Sequence, residues 1–447
     1  MKTNNFSADR NRQSKRNVIF ADLPTKTMNR IARQCGFLKR MSGKISPGNL
    51  VIGFMLMASR GRNTYSDWAM EIGLLEKKTV TKQSVCERMN PQTECFIKQM
   101  VEHQLLKKIS CSTKKVNGIL KHFGNVLIDD STALSLPDEL VKEFPGNVVA
   151  GKRRSQAKIH ALYNLTKNNF SFLHLHSYAS NDQGLAAQVL PFLKKGDLCI
   201  RDLGFLVLGV VKKFIEKGIY FISRKNFHTN IYDVQTQQVI DLVKVLRKNN
   251  FFDREVLIGM EHRLRVRLIA IPISDAQANE RRRKARKDRC SATNHSATYY
   301  EMLGYSIYIT NILPELCTPE NIFQLYKLRW NIEIIFKSWK SCFSFDRLIH
   351  RNCKNVIRVK CIIYLMLLYI YLFHVLWMKH CETQIRKHSP ATQLSILKMS
   401  VFFLKHFEQL LRENSEKNLL QQIKVHCVYE KRNDRDNARL FQFKLAS

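Results

Sequence analysis

Residues Cys361 to Met378, CIIYLMLLYIYLFHVLWM, form an eighteen-residue apolar run broken only by His374. A helix that is apolar on every side has two homes, the middle of a large core or a lipid bilayer. Eighteen residues reach only the lower edge of a membrane span, and no second such run exists in the chain. A helix with one polar face precedes it closely. The run is therefore expected to be a core helix, and no membrane partner is expected. A chain of 447 residues can bury one large core with satellite domains around it.

The preceding helix lies in LYKLRWNIEIIFKSWK. At about 100° per residue, Tyr326, Arg329, Glu333, Lys337 and Lys340 fall within roughly an 80° arc of one face. Leu325, Leu328, Ile332, Ile335, Phe336 and Trp339 occupy an adjoining arc wide enough for a buried stripe. A single helix over 326–340 can thus sit in a core while presenting a carboxylate among phosphate-binding side chains.

A formal charge of +36 points to a polyanionic partner, nucleic acid before anionic membrane. The 45% hydrophobic content excludes a disordered basic tail. Twelve cysteines include no CxxC pair, and the polar N-terminus has no apolar signal core, so reduced thiols in a cytosolic protein are expected. The fourteen histidines form no HxxxH or HExxH pattern, which leaves a zinc site without support.

Along the chain, residues 1 to 47 carry eleven Lys/Arg against two Asp/Glu and read as an electrostatic contact surface. Two short helices follow, one at Ser66–Ile72 with Thr64 and Asp67 spaced as a capping box, the next beginning near Thr81. A helix-turn-helix and a plain helical bundle both fit them. Strands then take over. VLIDD (126–130) leads to the alternating runs 157–165 and 170–178, joined by a turn at Lys167-Asn168-Asn169. Helical stretches at 183–193 and 203–218 alternate with the strands 197–202 and 219–225. This order predicts an α/β fold with a mixed sheet and a parallel crossover. Residues 226 to 315 are mostly strand-like and include ERRRKARKDR (280–289), a solvated segment or a DNA-backbone contact. Beyond Lys379 the pattern is helical.

Three acidic positions can meet. Functional side chains in α/β sheets gather at the carboxyl ends of strands. VLIDD ends in Asp129 and Asp130, LCIRD ends in Asp202, and Glu333 lies on the amphipathic helix. Three adjacent carboxylates repel unless cations neutralise them, and oxygen-only ligands favour Mg²⁺ or Mn²⁺. Two such ions about 3.5–4 Å apart can serve both the attacking and the leaving oxygen in phosphodiester transfer.

These residues resemble the DDE transposases of the bacterial insertion sequence 4 family. Tyr326, Arg329, Glu333 and Lys340 match its Tyr-x2-Arg-x3-Glu-x6-Lys signature. DSTALSLP (130–137) and RDLGF (201–205) resemble its first and second aspartate motifs. KIH (158–160) resembles the strand between them, and GFLKR (36–40) the entry to its N-terminal domain. The resemblance implies a ribonuclease H-like catalytic core with a mostly β insertion before the glutamate helix, flanked by helical N- and C-terminal regions. It implies Asp130, Asp202 and Glu333 as catalytic and metal-binding residues for two Mg²⁺ ions, with Mn²⁺ able to substitute. Which of Asp129 and Asp130 faces the metal stays open; Asp130 fits the motif. Phe205 stands where many relatives have Tyr. Tyr326, Arg329, Lys337, Lys340, Arg224, Arg281, Arg282 and Arg283 are the expected DNA-binding residues.

The expected organisation is a basic helical DNA-binding region at 1–118, the core at 119–225 and 316–380, the insertion at 226–315, and an oligomerising helical region at 381–447. The implied activity is cut-and-paste transposition through a hairpin at inverted-repeat ends. Its expected partners are double-stranded transposon-end and target DNA and a second copy of the chain, in the bacterial cytoplasm at the nucleoid. Rival readings are a catalytically inactive, transposase-derived regulator, another ribonuclease H-like nuclease, and a membrane protein.

Overall fold

The computed structural model describes residues 23–39, 45–106, 118–287, 295–389, 392–411 and 416–429. The first twenty-two residues, Arg40 of the GFLKR motif and the end of the basic run at 288–289 lie outside them. So does most of the expected N-terminal contact surface. The chain divides into two compact units. One comprises 1–109, 133–157 and 334–433; the other comprises 110–132, 158–333 and 434–447.

The second unit is built on a mixed sheet. Strand β1 (Val126–Ser135) lies parallel to β5 (Leu198–Arg201), and β5 lies parallel to β6 (Tyr220–Arg224). On the far side of β1 stand β3 (Lys152–Asn164) and then β4 (Asn169–Ser177). Reading β4-β3-β1-β5-β6 gives the ribonuclease H-like order, with the hairpin and the parallel crossovers expected from the sequence. Val126, Leu127 and Ile128, and all four residues of β5, are buried, as a central parallel strand covered on both faces requires.

Beyond β6 the sheet continues antiparallel through β10 (Tyr305–Thr310), β9 (Leu264–Pro272), β8 (Phe252–Ile258) and β7 (Ile231–Asp233). This is the β-rich insertion, and it also carries helices at Leu242–Asn249, Asp275–Lys287 and Ala297–Met302. The alternation of RLRVRL does not place its arginines alike. Arg265 is exposed against Glu255, whereas Arg267 is buried. Its Nε and Nη2 donate to Asp253 at 2.6 and 2.7 Å, and Nη1 donates to the Cys317 carbonyl at 2.7 Å. A bidentate carboxylate and a carbonyl supply what a buried guanidinium needs.

The first unit is mainly helical. Its helices at Tyr65–Glu76 and Lys82–Arg88 start where expected, capped by the side chains of Thr64 and Thr81, which accept from Asp67 N and Ser84 N. Strand β2 (Pro145–Val149) pairs with the start of β3. The apolar run falls in Val356–Tyr371 and the π-helical Leu372–Met378 that continues it. Apart from half-buried Tyr364, every residue from Cys361 to Met378 is buried. Even His374 accepts a hydrogen bond from Trp339 Nε1 at 3.2 Å. That is the environment of a core helix.

Three local expectations change. The 203–218 stretch is a 3₁₀ turn at Leu203–Phe205 and a helix at Leu208–Glu216, and 183–193 reduces to short turns at Asp182–Leu185 and Leu190–Phe192. Strand β1 does not end at Asp130; it runs on to Ser135, although its pairing with β5 stops at Asp129↔Arg201. Finally, 326–340 is not one helix. Pro319–Lys327 and Trp330–Ser341 are separated at Leu328-Arg329, where backbone hydrogen bonds tighten to three-residue spacing and Asn331 Nδ2 donates to the Leu328 carbonyl at 2.8 Å.

Candidate active site

Three elements of the second unit bring carboxylates to one guanidinium. Asp130 extends from β1 beyond its pairing with β5, Asp202 follows β5, and Glu333 sits in the first turn of Trp330–Ser341. Arg329, in the tightened turn, reaches all three. Its Nη1 donates to Asp130 Oδ2 at 3.0 Å and its Nη2 to Glu333 Oε1 at 2.5 Å. Its Nε stands 3.8 Å from Asp202 Oδ1, an ionic contact beyond hydrogen-bond reach. The Tyr326 hydroxyl donates to Asp202 Oδ1 at 3.4 Å.

Electrostatics follow from this crowding. Burial pushes the Asp130 carboxyl up to about 7, with Asp202 and Glu333 adding to the rise, while Arg329 and the Ser131 N–H oppose it. Burial also acts to lower the Arg329 pKa, but Tyr326 and the three carboxylates outweigh it and the guanidinium is raised. The Tyr326 phenol is raised, first by burial.

The adjacent aspartates point to different surroundings, as successive residues of a strand do. Asp129 is buried, receiving Arg201 Nε at 2.8 Å and lying 2.6 Å from His160 Nε2. Asp130 meets Arg329. Of the expected DNA-binding residues, Tyr326 and Arg329 join the carboxylates. Arg224 faces Tyr308 across the β6–β10 pair, and the Tyr308 ring lies 4.9 Å from that of Tyr326. Lys337 and Lys340 are exposed further along the glutamate helix.

The basic helix is employed differently. Arg281 Nη1 donates to the Tyr305 carbonyl at 2.9 Å and Arg282 Nε to the Tyr300 carbonyl at 3.1 Å, while Arg283 pairs with Glu280. Arg281 and Arg282 thus spend donors on the fold. Reasoning from sequence missed the inner partners Arg201, His160, Lys158 and Asp182. An arginine directly after the apolar Leu198, Cys199 and Ile200 was the available signal for the first.

Among the described residues, no three His, Cys, Asp or Glu side chains stand together closely enough to hold a metal ion. The donor set nonetheless fits an oxygen-liganded dication by its chemistry: three carboxylates gathered round one positive charge. Asp130, Asp202 and Glu333 would hold such an ion, with Arg329 turned away from the space it fills here.

A family model described as "Transposase DDE domain" matches residues 121–372, more than half of the chain. The chain belongs to the DDE transposase family. Its relatives include insertion-sequence transposases. One is the transposase for insertion sequence element IS231F of Bacillus thuringiensis subsp. israelensis, 29% identical over 315 residues, which cover 66% of this chain and 65% of that protein. Another is the transposase for IS231E of Bacillus thuringiensis subsp. finitimus, 29% identical over 366 residues, 76% of this chain and 75% of that protein. The chain thus spans just under two thirds of the first relative's length. Among solved structures, it is similar to a piggyBac transposase seen by cryo-EM in a synaptic complex with hairpin DNA. That match has a TM-score of 0.44 and 9% identity, covering 94% of this chain and 86% of that one.

Proposed function

We propose that this DDE-family chain is a transposase that cuts and joins DNA at the inverted-repeat ends of its element, with Asp130, Asp202 and Glu333 as its catalytic carboxylates. One observation carries the reading: acids from β1, from the end of β5 and from the glutamate helix meet around Arg329. Such a cluster has little purpose in a protein that only binds DNA. Two Mg²⁺ ions, or Mn²⁺ in their place, would supply charge neutralisation and activation of the attacking oxygen.

The protein's own groups have separable tasks. Asp130, Asp202 and Glu333 would hold the cations. Arg329, released from the carboxylates, offers its planar fork to a phosphate bidentately. Tyr326, Lys337, Lys340 and Arg224 extend that contact along the strand. Water attacks a phosphorus at the element end, the P–O3′ bond breaks, and a 3′-OH and a 5′-phosphate result. The freed 3′-OH attacks a phosphorus of the opposite strand, whose P–O3′ bond breaks, closing a hairpin on the element end and leaving a 3′-OH on the flanking DNA. A second water reopens it, and the 3′-OH then joins target DNA with release of a target 3′-OH. Double-stranded end and target DNA are the substrates, and a homodimer holding two ends in the bacterial cytoplasm is the working assembly.

The test is incubation of the purified protein with Mg²⁺ and DNA carrying its element's ends. Hairpinned or 3′-OH-terminated products are expected, and Asp130→Asn, Asp202→Asn and Glu333→Gln should each abolish them while keeping end binding. Full cleavage by Glu333→Gln would overturn the assignment, and binding without cleavage by the wild type would favour a regulator.

A further inference from the structure

The residues immediately before the two aspartates are bonded to each other. Asp129 and Arg201 are direct register partners in the parallel β1–β5 pair, and both are buried. Arg201 Nε donates to Asp129 Oδ2 at 2.8 Å, and Arg201 Nη2 donates to the Ala186 carbonyl at 2.6 Å. Asp129 Oδ1 is 2.6 Å from His160 Nε2. Aromatic rings hold this cluster: the imidazole stacks on Phe205 at 5.0 Å, and the guanidinium lies 5.6 Å and 5.2 Å from the Phe205 and Phe214 rings.

The residues just after the aspartates are tied as well. Ser131 Oγ donates to Asp182 Oδ1 at 3.1 Å, and buried Lys158 donates to the same oxygen at 2.8 Å. A Cβ at Gly204 would stand 2.9 Å from Asp182 Oδ2, so the loop after Asp202 packs directly on this carboxylate.

Stability alone does not call for a buried ion pair between two central strands, since apolar replacements are often as stable or more so. A hydrogen-bonded pair adds a fixed distance and direction. We propose that Asp129 and Arg201, braced by His160, are positioning residues: their ion pair locks β1 to β5 one residue before Asp130 and Asp202 and sets the gap across which these two carboxylates act. This inference rests on the metal-dependent reading proposed above.

The test measures Mn²⁺ affinity of the full chain by electron paramagnetic resonance, beside thermal melting, end-DNA affinity and cleavage kinetics. Outer partners of metal ligands typically matter by about 10–100-fold in metal affinity or activity. A loss of that size is expected for Asp129→Asn/Arg201→Met and for Arg201→Lys, which keeps the charge but not the fork. The cooperative melt and the KM for DNA should be retained while kcat falls. Wild-type Mn²⁺ affinity and kcat in a folded Arg201→Lys protein would overturn the proposal. So would failure of both variants to melt cooperatively, which would make the pair a stability element. If wild-type protein bound Mn²⁺ no better than the Asp130→Asn/Asp202→Asn/Glu333→Gln variant, the metal-dependent reading itself would fall. That result is distinct because it is seen before Asp129 or Arg201 is altered.

Discussion

Arg329 Nη1 lies 3.0 Å from Asp130 Oδ2, joining residues 199 positions apart, and the same guanidinium holds Glu333. One cation thus offsets part of the repulsion among three acids. Replacing it by Met leaves the acids facing one another without a counter-ion. Loss of one partner of a buried pair costs about 3–5 kcal/mol, and the partial exposure of Asp202 and Glu333 places Arg329→Met toward the low end. The variant is expected to melt lower in EDTA, and Mg²⁺ should raise its melting temperature more than it raises that of the wild type. An equal response to Mg²⁺ in both proteins would contradict this.

Asp130 yields a pH dependence for the metal-free protein. Its folded pKa of about 7 stands above its ordinary 3.8, so ionisation opposes folding. The penalty is absent below the ordinary value, grows as pH rises toward 7 and is complete above it. At 1.36 kcal/mol per unit the penalty is on the order of 4 kcal/mol, less whatever relaxation recovers. Asp130→Asn should therefore stabilise the metal-free chain against urea at pH 8 and do little at acid pH. A variant less stable than wild type at pH 8 would refute the assigned burial.

Lys337 and Lys340 are exposed on the helix that carries Glu333, free to meet phosphates without disturbing its buried stripe. Changing either to Ala should weaken DNA binding uniformly across sequences and reduce the salt slope by about 1, the signature of one phosphate contact. Melting curves should be unchanged. A loss confined to particular sequences would point to base contacts instead.

Leu368, at the centre of the apolar run, is completely buried. Leu368→Ala should cost about 2–5 kcal/mol through lost burial and the cavity left behind. Denaturant titration measures that cost. In fractionated cells the wild-type chain should be recovered outside membranes after a high-salt wash, whereas retention in the membrane would contradict the core assignment.

Much of this was legible in the sequence because it is written locally. Apolar spacing marked the stripe of the glutamate helix, and Ile332, Ile335, Phe336 and Trp339 are all buried. Alternation marked the β3–β4 hairpin, and Thr64 marked a helix start. The break at Leu328-Arg329 was not legible, because a turn tightened to three-residue spacing barely alters the periodicity of side chains.

By itself the sequence determined the α/β order, the three acids and the apolar segment, since each depends on residue type and spacing within a single element. Tertiary structure decided which of two adjacent aspartates meets Arg329. Neighbours in a strand face opposite ways, and only the residues packed on each face distinguish them. It also decided that Arg201 should pair with Asp129 and Arg267 with Asp253, while Arg281 and Arg282 should bind carbonyls. A guanidinium is equally suited to phosphate, carboxylate or carbonyl, and the partner brought within reach by the fold settles which one it holds.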